Sequence, residues 1–230
     1  MQTCFYLSLK KKEAINFRRW HALRDKHSLQ GSGHRGCKKA WNSFSMIKTE
    51  LLTARLSLKK PVWEDIMSIH HLHSLAETDQ YNTLGIPQHV EETENVVKEW
   101  IQAYAQEPVS YYTFVIREVN MSISAFVGVI ALKLGSPKYK IAEVWYKVLP
   151  QHWGKGYATE ALLSLIDFGF KELKLHRIEA GCAVDNLASI RVLEKVGMQR
   201  EGRKRKILPL KSGWSDNYGY AILEEDYTGK

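Results

Sequence analysis

One stretch constrains this chain of 230 residues more than any other: Gln151-His152-Trp153-Gly154-Lys155-Gly156-Tyr157-Ala158-Thr159-Glu160-Ala161. Before it lies an alternating apolar run, Ile141 to Leu149, closed by Pro150. After it, Ala158, Ala161, Leu162, Leu165, Ile166 and Gly169 recur at helical spacing. The two glycines are therefore predicted to sit in a strand-to-helix turn. Glycine lets a backbone approach a ligand closely. The first turn of a helix offers unpaired N–H groups and a partial positive charge. Together they make a cradle for phosphate; a plain tight turn is the other reading of Gly-x-Gly alone.

Two well-known phosphate loops do not fit. A P-loop needs Ser or Thr after Gly-Lys, and here Gly156 follows Lys155. A dinucleotide fingerprint needs a third glycine where Thr159 stands. Gln-x-x-Gly-x-Gly between a strand and a helix resembles the acetyl-CoA pyrophosphate loop of the GNAT N-acetyltransferases. A second block joins it: Asn186-Leu187-Ala188-Ser189 opens a helix that runs to Leu193-Glu194-Lys195-Val196-Gly197-Met198. That block resembles the branch that holds the ribosomal-protein N-terminal acetyltransferases (RimJ/RimL-like). The resemblance covers roughly residues 48 to 227 and rests on two blocks at a specific separation.

Charge separates the chain into two parts. The formal net charge is +8. Residues 1–45 carry ten Lys/Arg against two Asp/Glu, so the whole excess sits there and the remainder is balanced. A balanced domain has no global basic field to draw it to nucleic acid. The local run Arg203-Lys204-Arg205-Lys206 reads as a solvated loop or a contact to the 3′-phosphate of CoA or to an acidic substrate. No apolar run is long enough to cross a bilayer, so no membrane partner is expected. Three cysteines give no disulfide framework, which fits a reduced, cytoplasmic setting. Cys182 reads as a small core residue. His70, His71 and His73 lack a Cys or carboxylate at ligand spacing and read as surface and core histidines; no metal is expected.

Residues 1–45 show no sustained periodicity, and Gly31 to Gly36 is loop-like. They read as a basic extension, a tail or upstream sequence the domain can do without, rather than a targeting segment. The domain, residues 46–230, is expected to begin at the start-like Met46-Ile47-Lys48-Thr49-Glu50. Its predicted order is a strand over 53–58, helices over 62–74 and 91–106, and a loop over 81–88 between them. Strands follow over 111–118, 125–134 and 141–149, with turns at Asn120 and at Gly135-Ser136-Pro137. Then come a helix to about Leu173, a strand over 177–184 and a helix over 186–196 capped by Gly197. Two closing strands, 198–206 and 217–223, are joined by a polar loop. Periodicity alone gives mixed α/β; the resemblance implies the GNAT acyl-CoA N-acyltransferase fold, a mixed, mostly antiparallel sheet flanked by helices (α+β in detail).

Moving an acetyl group from a thioester to an amine requires that the thioester be held, its oxyanion stabilised, the amine made neutral and the thiolate protonated. The resemblance assigns holding to the backbone from Trp153 through Gly154, Lys155, Gly156, Tyr157 and Ala158 to Thr159, with Gln151 ahead of it. Trp153 and Tyr157 flank the cofactor or simply pack on the domain. In the family the strand before the loop splays from its neighbour and pairs with pantetheine. Tyr146 to Val148 match that segment, with the N–H of Val148 facing the thioester oxygen. Glu143, a carboxylate in a half-buried strand, is the candidate base, acting through water; a structural ion pair is the alternative. Many relatives carry a tyrosine acid where this chain has Leu193. Ser189 is the candidate near the CoA sulfur, against a role limited to the helix start. Asn186 both caps that helix and reaches pantetheine. No nucleophile elbow is present, so direct transfer is expected.

The implied function is acetyl-CoA-dependent transfer to a primary amine, and the branch points to a protein N-terminal α-amine. That amine has a pKa near ~8 against ~10.4 for lysine, so a modest base suffices. The alternatives are a small-molecule amine (polyamine, amino sugar or amino acid) and a non-catalytic acyl-CoA-binding module. The acceptor is expected to be read by the segments 78–88 and 207–217. The chain is expected to be a monomer or a homodimer.

Overall fold

The three alternating apolar runs at the middle of the chain form the centre of a twisted sheet. The computed structural model describes residues 2–3, 50–119 and 124–229. The chain divides into two compact units, residues 1–7 with 49–230 and residues 8–48; every described residue lies in the first. Apart from residues 2–3, the expectations for residues 1–45 and for the turn at Asn120 lie outside the described residues.

In chain order the elements are β1 Gln2–Thr3, β2 Glu50–Leu52, β3 Leu56–Lys59, α1 Ile66–Ser74, α2 Ala76–Asp79, α3 Val90–Ala103, β4 Tyr111–Val119, β5 Ser124–Leu134, β6 Ile141–Val148, α4 Tyr157–Lys171, β7 Arg177–Ala183, α5 Leu187–Lys195, β8 Gln199–Leu210 and β9 Gly213–Leu223. Eight strands form one path, β2-β3-β4-β5-β6-β7-β9-β8, and β1 adds to β6. All pairings are antiparallel except β6 with β7. The predicted mixed, mostly antiparallel sheet with flanking helices is the fold observed.

Alternation divides the core between the two faces of the sheet. On one face Phe114, Ile130, Leu132, Val144 and Tyr146 pack under α4 and α5 with Leu162, Leu165, Ile166 and Leu193. On the other, Val115, Val129, Ala131 and Trp145 pack under α1 and α3 with Ile69, Leu72, Val97 and Trp100. Each of the larger buried side chains contributes roughly 1.5–3 kcal/mol of transfer free energy. Cys182 is wholly buried, as its apolar strand implies.

Two segments differ from expectation. The first strand was expected over 53–58, but Thr53 turns the chain there: its hydroxyl accepts from Leu56 N–H at 2.9 Å, which folds β2 back on β3. The polar loop expected over 207–217 is strand instead. Leu208 and Leu210 are buried beside Ala183, so β8 runs on to a turn at 211–212 and returns as β9. Pro209 is tolerated because β8 is the sheet's edge. The basic run 203–206 is accordingly on a strand, with Arg203 bound to Asp216 at 2.6 Å.

Candidate active site

The site begins where two strands part. β6 and β7 pair only from Ile141–Glu143 to Arg177–Glu179. Beyond that point β6 continues to Val148 paired with β5, and β7 continues to Ala183 paired with β9. The Leu149 N–H donates to Val127 C=O, toward β5, at 2.9 Å. Amides alternate along a strand, so those of Tyr146 and Val148 point the other way, to the β7 side. Backbone of β1 lies on that edge, Gln2 opposite Lys147 and Thr3 opposite Tyr146. The other edge is drawn tight against Gly128, where a Cβ would meet the Lys147 carbonyl oxygen at 2.2 Å. Only glycine fits there.

The strand ends in Pro150 and a single 3-10 turn, Pro150–His152, that leads to the glycines. Gly154 has φ +74 and Gly156 φ +81, which L side chains adopt only under strain. A Cβ at Gly154 would meet nothing within 4 Å, so open space lies beside the turn. Gly156 precedes α4, and the first helical bond runs from Glu160 N–H to Gly156 C=O at 3.0 Å. The amides of Tyr157, Ala158 and Thr159 therefore have no partner within the helix and gather at its positive end. Gln151 and Lys155 are exposed beside them.

Trp153 and Tyr157 pack on the domain. The Trp153 indole donates to Val148 C=O at 2.7 Å, tying the turn to the strand end. Tyr157 is buried; its hydroxyl donates to Glu118 at 2.6 Å and Arg55 stacks on its ring at 4.7 Å. The sequence reading missed Arg55, which also donates to the Lys155 carbonyl at 3.0 Å and pairs with Glu160 at 2.7 Å. Hydrogen bonds from Thr53 and Arg55 outweigh burial and hold the Glu160 carboxyl below its ordinary range. So the turn is braced from β2–β3, a hundred residues upstream, and no local pattern announces it.

On the α5 side, Asn186 caps the helix by accepting from Ser189 N–H at 3.2 Å. Ser189 is wholly buried, and the Tyr146 hydroxyl donates to its Oγ at 3.3 Å. The structure thus brings Tyr146, Asn186 and Ser189 together beside the gap between β6 and β7. Leu193, on the inner face of α5, is a core residue.

Glu143 lies at the other end of β6, where that strand still pairs with β7. It opens on a groove of about 500 Å³ lined also by Arg177, Glu179, Glu201, Arg203 and Lys204. None of the ion pairs among the described residues involves it. Burial pushes its pKa up; Lys133 opposes the rise and Glu179 adds to it. Glu143 is five residues from Val148, about 16 Å of strand, so the structure does not bring it to the gap. Three further groups went unremarked as a set: Lys147 on β6, Asp79 at the end of α2 and His73 on α1, all buried. Among the described residues no three His, Cys, Asp or Glu side chains form a metal cluster, and no helix is long and apolar enough to cross a membrane.

Comparison with known proteins places this architecture. Residues 55–199 match the acetyltransferase (GNAT) domain. The uncharacterized N-acetyltransferase YnaD of Bacillus subtilis (strain 168) is 32% identical over 177 residues, 77% of this chain and 98% of YnaD. The spermidine N-acetyltransferase of Vibrio cholerae, solved with CoA and spermine, superposes with a TM-score of 0.68 at 22% identity, over 76% of this chain and 99% of that one. RimL, a ribosomal L7/L12 alpha-N-protein acetyltransferase solved with coenzyme A, superposes with a TM-score of 0.69 at 21% identity, over 76% and 97%. At those identities the last two speak for the fold alone. The divided strands, the glycine turn, the matched domain and the full-length relative together make this chain a member of the GNAT family of N-acetyltransferases.

Proposed function

We propose that this chain moves the acetyl group of acetyl-CoA directly to the α-amine of a protein N-terminus, in the cytoplasm. The observation that carries the donor is the parted β6 edge leading into a helix start whose first three amides have no partner within the helix. The residues there suit CoA: amides and open space for a pyrophosphate at Gly154–Thr159, and a strand edge at Tyr146–Val148 for the amide-bearing arm. When bound, CoA supplies the activated acyl group. Val148 N–H is aimed to the side where a thioester oxygen would gain from a donor. Ser189, oriented by Asn186 and by the Tyr146 hydroxyl, is the group to hydrogen-bond or protonate the leaving sulfur. Glu143, about 16 Å of strand from Val148, takes the amine's proton through a chain of waters along the groove that it lines.

For the acceptor, the groove beside Glu143 supports a peptide. Its charged lining comprises three acids, Glu143, Glu179 and Glu201, and three bases, Arg177, Arg203 and Lys204. A balanced lining gives no field to gather a polycation. Incubating the protein with acetyl-CoA, pooled N-terminal peptides and pooled small amines, and following free thiol, tests the reading. N-terminal acetylation of peptides is the expected result; thiol release with polyamines or amino sugars alone would overturn the acceptor.

A further inference from the structure

Lys147 and Asp79 are a buried donor and a buried acceptor that lie within reach of each other's charge without bonding. Lys147 is 1% exposed and Asp79 5%. Lys147 Nζ and Asp79 Oδ1 are both without a hydrogen-bond partner among the described residues. Each nevertheless feels the other's charge. Buried polar groups are nearly always bonded, so a donor and an acceptor both left open this way call for a further group that bonds them.

The neighbours leave that task to these two. The Thr78 hydroxyl is spent on the carbonyls of Leu72 and Leu75. His73 is held neutral by burial and by Lys147, with His70 adding to the effect, and it packs edge-on to Trp100 at 6.1 Å. The Gly85 N–H steadies the Asp79 carboxylate, and Lys211 in the β8–β9 turn faces it. Lys147 immediately precedes Val148, on the strand edge proposed to meet the thioester. Glu143 points to the same face of β6 but stands four residues back, about 13 Å away.

We infer that Lys147 and Asp79 recognise the α-amino-acyl head of the acceptor, the ammonium of Lys147 bonding its carbonyl or carboxylate oxygen and the carboxylate of Asp79 accepting from its amine. An α-amino-acyl group carries an amine and a carbonyl on the same carbon, so one group can serve both the open acceptor and the open donor. A polyamine carries donors only and would leave Lys147 facing like charge. The inference rests on acetyl transfer at the β6 edge, and it gives the acceptor preference a structural cause. A peptide N-terminus and a free amino acid share this chemistry.

The test compares acetylation of an N-terminal peptide, a free amino acid, spermidine and an alkyl monoamine by the full chain, Lys147→Met, Asp79→Asn and the double variant. Lys147→Met is expected to raise KM for the preferred α-amino-acyl acceptor roughly tenfold or more, with a much smaller fall in kcat, and to cut the preference over the monoamine by a similar factor. The double variant leaves no lone buried charge, so it keeps the test open if a single variant fails to fold; the same loss of preference is expected. Peptide against amino acid in the wild type tells the two sources apart. Equal losses on peptide and monoamine, or no loss at all, would mean the pair is structural or holds only water, and the inference falls while the acceptor reading stands. Wild-type turnover of spermidine alone would overturn that reading and the inference with it.

Discussion

The two sides of the end of β6 are built from different material. The side proposed for the donor is backbone: two glycines at positive φ, a helix start and strand amides aimed into a gap. The side proposed for the acceptor is side chain: Asp79 from α2, Lys147 from β6 and Lys211 from the hairpin turn, which act on one another's charge from three distant parts of the chain. A backbone site needs its residues in sequence order, so it leaves a local signature. A side-chain site needs only that the fold bring its members together, so it leaves none.

The sharpest break would come at the turn. Gly156→Asp puts a side chain at φ +81, with its Cβ 3.4 Å from the Arg55 guanidinium, and a negative charge among the unpaired amides. The backbone strain costs about 1–2 kcal/mol of stability. Acetyl-CoA affinity is expected to fall by roughly a hundredfold or more, as a charge reversal at an anion site implies. Unchanged affinity by calorimetry, in a variant that still melts cooperatively, would show that the turn is only a turn.

Next in size is the chemistry proposed at the sulfur. Ser189→Ala removes the hydroxyl that Tyr146 meets but keeps the Ser189 amide and hence the Asn186 cap. Turnover is expected to fall by ~10²-fold while acetyl-CoA binding changes little. Glu143→Gln is expected to remove the acid limb of the pH–rate profile, which in the wild type lies above the ordinary carboxylate range because burial raises that pKa. Full turnover in both variants, with the wild-type acid limb intact, would strip both residues of these roles.

What was legible follows the same division. The glycine turn, the helix after it, the Asn186 cap and the three central strands were all readable, because each is a short pattern with one physical meaning. Gly128 was not, since its need comes from Lys147 on another strand. Nor was Arg55, whose partners Lys155 and Glu160 lie a hundred residues on. The 207–217 segment misled because Pro209 and Gly213 look like loop residues, whereas burial of Leu208 and Leu210 decides for strand. Lys147 and Asp79 each look ordinary in sequence; only their burial, unbonded and within reach of each other's charge, sets them apart.

The N-terminal strand tests the donor side more gently. Backbone of Gln2–Thr3 pairs with Tyr146 and Lys147, the edge proposed for the pantetheine arm. The two cannot share it. A chain beginning at Met46 is expected to bind acetyl-CoA roughly tenfold tighter, the worth of one or two backbone hydrogen bonds no longer displaced. Its melting temperature is expected to stay within a few degrees, because β1 adds only two residues to the sheet. Weaker binding would mean that the extension assists the donor instead.

The smallest effect probes the acceptor side through stability alone. Burial lowers the Lys147 pKa from 10.5 to about 8, with Asp79 opposing the shift. Above about pH 8 the folded chain has given up this proton while the unfolded chain holds it up to about pH 10.5. Unfolding then takes up a proton, so a rise in pH across that window stabilises the folded state. Below about pH 8 both states are charged and the contribution is flat. Wild type is therefore expected to gain about 1 kcal/mol over Lys147→Met between pH 7 and 9. The tyrosines whose pKa burial raises, Tyr220 and Tyr227 among them, pull the other way but do so equally in both proteins. Chemical denaturation of the two proteins at matched pH gives that difference directly. A flat difference would mean that the Lys147 ammonium keeps its full charge in the folded chain, solvated well enough to need no acceptor oxygen, and the contrast between a backbone donor site and a side-chain acceptor site would then lose its second half.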